Sequence, residues 1–226
     1  MRRLGEQGGF LEGYVWDSAS NRYRSLLTGR YVSRARILEL LERAVDARER
    51  QILRGLTAYR DGRLLPSVFA ARTSLLVKRQ YLQNAALAAG GWDRLTFADY
   101  GRIGGTLRGV YRRIAQLAVD IEHELVSEAQ ARNRVHMYMG NARSLFYSVE
   151  RERLPVLGAG RVYIERRILD PMAAHCDDCV AYAGLGWQPE GVLPVPSQAC
   201  ACDGNCRCTL ERKEVSVEDS VKEIGK

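Results

Sequence analysis

A chain of 226 residues, 46% hydrophobic and 27% charged, is long enough to bury a core and polar enough to stay in solution. No apolar run approaches the roughly 18 residues of a membrane span, so no membrane partner is expected. The basic N-terminus, MRRLGEQGGF, has no apolar stretch behind it, so no secretory signal is read and the cytoplasm of the producing cell is the expected compartment.

The net charge is +7, and 30 of the 34 basic residues are arginine. Arginine pairs bidentately with phosphate, which admits a polyanionic partner. The acids interleaved with it in ERAVDARERQ and VERERL also describe ordinary solvated helix faces.

Residues 1–31 show no helical period and read as an extended N-terminal arm or irregular loops. Phe10, Tyr14, Val15 and Trp16 are too much apolar material for a free tail, so the arm is expected to dock on its own domain or on a neighbouring subunit. A helical domain follows over residues 32–155. Ser33 caps a helix over residues 35–59 whose Ile37, Leu41, Val45, Ile52 and Leu56 share one face. Gly62 breaks it. Pro66 opens a second helix that carries Phe69, Leu75, Leu76, Leu82 and Ala86 inward and stops at Gly90 and Gly91. Thr96 and Asp99 form a capping box for a third helix with Tyr100, Ile103, Leu107, Tyr111, Ile114, Leu117 and Ile121 on one stripe. Gly101, Gly104, Gly105 and Gly109 lie within it, which predicts a closely packed backbone or a bend. Ser127 and Gln130 cap a fourth helix with Val135, Tyr138, Ala142, Leu145, Phe146 and Val149 inward.

After Gly160 the period changes. RVYIERRILD reads as a strand, taken as an edge strand, and CRCTLERKEV as a second short one. The fold class is therefore mainly α, an α+β chain with a bundle of about four helices. A small cysteine-rich β unit follows at residues 156–213, then a loose tail at 214–226. Trp92 and Trp187 serve either as interface anchors or as covers for the local core.

All six cysteines fall in this last unit: Cys176, Cys179, Cys200, Cys202, Cys206 and Cys208. A Gly- and Pro-rich segment of this size buries little apolar surface and needs a staple. Cys-x-x-Cys brings two thiolates to one ion from a tight turn, and Cys-x-Cys does so from an extended segment. The expected ligands of a tetrahedral Zn2+ site are Cys176, Cys179, Cys206 and Cys208. Cys202 is the first substitute, followed by Cys200 and His175. Disulfides, or zinc with one disulfide, remain alternatives, although a reducing compartment favours metal. Redox catalysis by Cys176 and Cys179 fits poorly, because no βαβ pattern surrounds them.

HCDDC, the stretch AGLGWQPEGVLPVP and NCRCTLE together resemble the C-terminal end of tailed-phage minor head proteins, the head-morphogenesis group that includes the Mu F-like proteins. The helical sequence GGWDRLTFADYGRIGGTLRGVYRRIAQLA is similar to that of phage structural proteins. Cys200-Ala-Cys202 adds thiols that the common pattern lacks. The resemblance implies a structural virion protein of the head or neck, made in the host cytoplasm. It would act in head assembly or DNA packaging and ejection. Its implied partners are portal, capsid or tail-connector proteins, with non-specific contact to packaged DNA and a ring of like subunits.

No G-x-S-x-G, H-E-x-x-H or P-loop pattern is present, and the three histidines, His123, His136 and His175, form no catalytic constellation in sequence; an enzyme is not expected. The alternative is a zinc-dependent nucleic-acid-binding regulatory protein. Such a protein should carry a base-reading helix beside its zinc unit, where this chain has a Gly/Pro-rich spacer.

Overall fold

The computed structural model describes residues 13–17, 20 and 22–225; Phe10 lies outside them. The chain is mainly helical, with two small antiparallel sheets and a cysteine cluster near its C-terminal end. Four long helices make up most of it: α1 (Arg34–Arg60), α2 (Pro66–Ala89), α3 (Phe97–Glu122) and α4 (Glu128–Glu152). The side chains of Ser33, Thr96 and Ser127 accept the backbone N–H groups of Arg36, Asp99 and Gln130, so three of the four starts are fixed by capping. α2 starts on Pro66 and ends at Gly90, whose φ of 91° is left-handed. α2 lies against α1, α3 and α4.

The inward stripe of α2 is offset from the leucines. Phe69 and Ala86 are buried, Leu76 and Leu82 only half-buried, and Leu75 is 50% exposed. Thr73, Val77, Gln80, Tyr81 and Asn84 face inward instead. Their amide groups find partners: Gln80 donates to Asn84 Oδ1 (2.7 Å), and Asn84 donates to the carbonyl of Ala142 on α4 (2.7 Å), although Gln80 Oε1 is buried without one. In α3 the stripe holds except for Tyr100, which is exposed, and Tyr111, which is half-buried.

The arm is not irregular where it is described. β1 (Tyr14–Asp17), β2 (Arg22–Ser25) and β3 (Tyr31–Val32) form an antiparallel meander. It docks on its own domain. Trp16 N–H donates to the Gly90 carbonyl (3.3 Å), and the Trp16 ring meets the buried Tyr23 edge-on at 4.8 Å. A Cβ on Gly90 would lie 2.7 Å from Trp16 Cβ, so this corner requires glycine for space as well as for φ.

The second sheet has the order β5-β4-β6, with β4 (Arg161–Ile168), β5 (Gln188–Pro189) and β6 (Thr209–Ser216) all antiparallel. β4 is thus the central strand and not an edge. Its polar residues resemble an edge pattern, yet Glu165 and Arg167 are buried: Glu165 is ion-paired, and Arg167 donates to the Pro194 carbonyl. Glu165 takes Arg151 of α4 (2.8 Å) and Arg212 of β6 (3.5 Å). Arg212 also reaches Glu150 (3.4 Å), and Glu150 receives a bidentate pair from Arg34 of α1 (2.8 and 2.7 Å). Arg34 donates in addition to the Leu210 carbonyl (2.8 Å). This ladder of alternating charge ties α1 and α4 to both long strands. The expected loose tail is ordered as well: β6 continues to Ser216, and α6 (Val217–Glu223) follows, capped by Ser216.

The glycines of α3 do not meet another backbone. Cβ atoms at Gly101, Gly104, Gly105 and Gly109 would find nothing within 4 Å. The close approach is elsewhere, between Gly140 of α4 and Gly204, where a Cβ on Gly140 would fall 1.6 Å from the Gly204 carbonyl oxygen. Gly140→Ala therefore forces the two backbones apart and should cost about 1–3 kcal/mol or more. Gly104→Ala, on an open helix face, should gain up to about 1 kcal/mol. Thermal melts will separate the two, at about 2–4 °C per kcal/mol for a chain of this size.

Candidate metal centre

The cysteines arrive on two segments between β4 and β6. The first leads into α5 (Asp177–Gly184), with Cys176 at the N-cap position and Cys179 in the first turn. The second runs from Ser197 to Cys208 and contains a short 3-10 turn, Asp203–Asn205. Three non-glycine residues of this second segment are left-handed: Ser197 (φ 67°), Ala199 (φ 49°) and Asp203 (φ 43°). Each costs of order 1 kcal/mol or more and persists only where the surroundings over-determine it.

Those surroundings can be named. Ala201 N–H donates to Asp178 Oδ2 (2.7 Å), and Tyr182 OH donates to the Ala199 carbonyl (2.9 Å), so α5 grips the second segment at two points. The 3-10 turn seats on α4 through the Gly140–Gly204 approach. Arg167 of β4, fully buried, crosses the Tyr182 ring at 5.5 Å and donates to the Pro194 carbonyl.

The six sulfurs gather at one place. Cys176 and Cys202 are 3.4 Å apart, Cys179 and Cys202 3.5 Å, Cys200 and Cys202 3.6 Å, and Cys179 and Cys206 3.7 Å. No two are joined as a disulfide; all six thiols are free. The spacing is far above the ~2.05 Å of an S–S bond. It matches a coordination tetrahedron, since metal–sulfur bonds of about 2.3 Å set the sulfurs about 3.8 Å apart.

Two groups of mutually close ligand atoms result. Cys176, Cys179, Cys200 and Cys202 form one; Cys179, Cys206 and Cys208 form the other. The cluster can hold a metal ion. Of the four cysteines expected from spacing, Cys179 belongs to both groups; Cys206 and Cys208 meet it in one, and Cys176 meets it in the other together with Cys200 and Cys202. Spacing alone could not place the CAC pair, which follows a left-handed residue at Ala199 and puts Cys202 Sγ 3.4 Å from Cys176 Sγ. Tyr182 and Gly140, which help position the cluster, lie outside any motif, and Asp178, inside HCDDC, has no sequence signal for its bond to Ala201.

Without a cation, so many thiolates cannot coexist. Burial pushes Cys179 up to about 12 and raises Cys200 and Cys202 as well. The Cys208 thiol donates to Cys206, lowering Cys206 to about 4 and raising its own pKa. Burial opposes ionisation of Cys176, but the backbone N–H of Cys179 and the Cys202 thiol outweigh it and lower its pKa. In the cluster, ionisation is therefore favoured at Cys206 and eased at Cys176, and it is opposed at Cys179, Cys200, Cys202 and Cys208, where a bound cation would displace the protons.

A cavity of about 380 Å³ opens between the first sheet, α4 and β6. Its Arg34, Arg153 and Arg212 are already engaged by Glu150, Asp99 and Glu165, which leaves it a weaker candidate for an anion. Among the described residues, no helix is long and apolar enough to cross a membrane. Trp187 is a cover for the local core, 8% exposed beneath Arg166 and Lys213, whereas Trp92 is 42% exposed.

Comparison with known protein families, with curated proteins and with solved structures finds no match to this chain.

Reactivity in the metal-free state should follow burial and thiolate content. Alkylation under reducing conditions is expected to label Cys176 first and the buried Cys179 and Cys208 last. Peptide mapping against time measures the order, and early labelling of Cys208 would contradict the geometry.

Proposed function

We propose that this protein is a structural component of a tailed-bacteriophage virion, a minor head or connector-associated protein that acts by contact with other subunits. Its cysteine cluster would bind Zn2+ as a structural clasp. The carrying observation is the convergence of the two motif segments, HCDDC and NCRC with the preceding CAC, on one cluster of sulfurs. A four-thiol cage leaves no open coordination position for substrate, which suits a structural ion and not a catalytic one. Thiolate donors suit zinc among the common divalent ions.

In this reading α1–α4 form a single bundle, and the zinc unit is a second, smaller body fastened to it. Apolar side chains left in solvent support assembly by contact: Phe97 is 98% exposed, with Trp92 and Tyr100 close by in sequence at 42% and 46%. They lie around the start of α3, and a portal, capsid or tail-connector subunit is the partner class proposed for them. The exposed arginines suit a site near packaged DNA without reading its sequence. A ring of copies and a place in the head or neck belong to the same proposal.

Two measurements test it. Chelation of zinc-loaded protein is expected to leave the helical circular dichroism nearly unchanged while hydrogen-exchange protection of residues 197–208 collapses. Loss of the whole helical signal would mean that the clasp is not a local device. Co-sedimentation with portal or capsid protein, abolished by Phe97→Asp, is the expected partner result. Salt-sensitive binding to one preferred duplex sequence, with no such co-sedimentation, would favour the regulatory alternative.

A further inference from the structure

We infer that the cluster is binuclear: two zinc ions share the Cys179 sulfur, and His175 supplies the last ligand of the second ion. The inference rests on the zinc reading above and extends it. One ion accommodates four sulfurs, and Cys176, Cys179, Cys200 and Cys202 complete such a set. Cys206 and Cys208 are then left over, 1% and 2% exposed, grouped with Cys179 at 0%. Three sulfurs make an incomplete tetrahedron.

The missing donor is next to it. His175 Nδ1 lies 3.7 Å from Cys208 Sγ. Its other nitrogen, Nε2, is 2.7 Å from the Asp170 carbonyl oxygen. A carbonyl only accepts, so Nε2–H is the donor there, and in a neutral ring Nδ1 is then the nitrogen whose lone pair is offered on the side of the sulfurs. An imidazole fixed in this way by a backbone carbonyl is the usual posture of a metal-bound histidine. The ring is not yet within reach of all three thiols, so binding draws it inward.

The donors complete both coordination shells. Cys176, Cys200, Cys202 and Cys179 surround one ion; Cys206, Cys208, His175 and the same Cys179 surround the other. Two divalent cations then face six thiolates and a neutral imidazole, and the thiol protons leave to solvent on binding. Cys179 is the suitable bridge, since it alone belongs to both groups of close ligand atoms.

The test uses the full chain, reduced and loaded anaerobically with Zn2+, then freed of excess metal. Native mass spectrometry with elemental analysis is expected to give two zinc ions per chain. His175→Ala should retain one firmly and release the other at a chelator concentration at least tenfold lower than wild type. Cys200→Ser should likewise keep one firmly bound ion, that of the second site. Cadmium NMR of the unmodified chain should show two resonances, each split by coupling through the shared sulfur. One ion per chain, two uncoupled cadmium resonances, or unaltered retention of both ions in His175→Ala would overturn the binuclear assignment. No bound ion at all would overturn the zinc reading itself.

Discussion

The contact between Gly204 and Gly140 is the constraint on which the C-terminal half depends. A carbonyl oxygen presses on α4 where the helix has no side chain, and a Cβ on Gly204 would in turn stand 2.2 Å from the Met137 carbonyl oxygen. Neither partner is a flexible side chain that could yield. The 3-10 turn between Cys202 and Cys206 therefore has one seat, and the sulfurs on either side of it inherit their positions from α4. The cluster is in this sense built on the helical body, even though all its donors come from the segment between β4 and β6.

A second tie runs through charge. Arg34, Glu150, Arg212, Glu165 and Arg151 alternate in sign from α1 to the middle of the second sheet, with Glu165 wholly buried. Burying such groups costs several kcal/mol per ion before their mutual attraction is counted, so the ladder is poor evidence of stability. What it supplies is registry. Any slip of β6 along β4 would take Arg212 away from both Glu165 and Glu150, leaving Arg151 to offset the buried Glu165 carboxylate, and an under-compensated buried charge is penalised. The sheet can thus pair in one way against these helices.

The helices were readable because their signals are local. Ser33, Thr96 and Ser127 act within a single turn, and Pro66 and Gly90 act through their own φ angles. What failed needed partners distant in sequence. The leucines of α2 read as inward from their spacing, but Asn84 is buried in their stead because the Ala142 carbonyl, on another helix, accepts a hydrogen bond from its amide. The charged residues of β4 signalled an edge for the same reason. In the cluster, residue type and spacing located the chemistry, whereas the division of ligands depended on a left-handed alanine, for which no rule of composition exists. The glycines noticed in α3 turned out to face open space, and the one that matters, Gly140, stood alone in an ordinary helix.

β4 and β6 pair along their full length, from Arg161 with Ser216 to Ile168 with Thr209, yet the whole of residues 169–208 lies between them. Joining strands across so long an excursion is slow, because chain entropy must be lost before any ladder bond rewards it. The sulfur donors stand near both roots of that excursion, at His175–Cys179 on one side and Cys206–Cys208 on the other. A cation caught there would shorten the search from a wandering loop to a near-neighbour closure. In a newly made chain, the availability of metal would then govern the pace at which the last strand finds its partner, and not only how firmly it is kept.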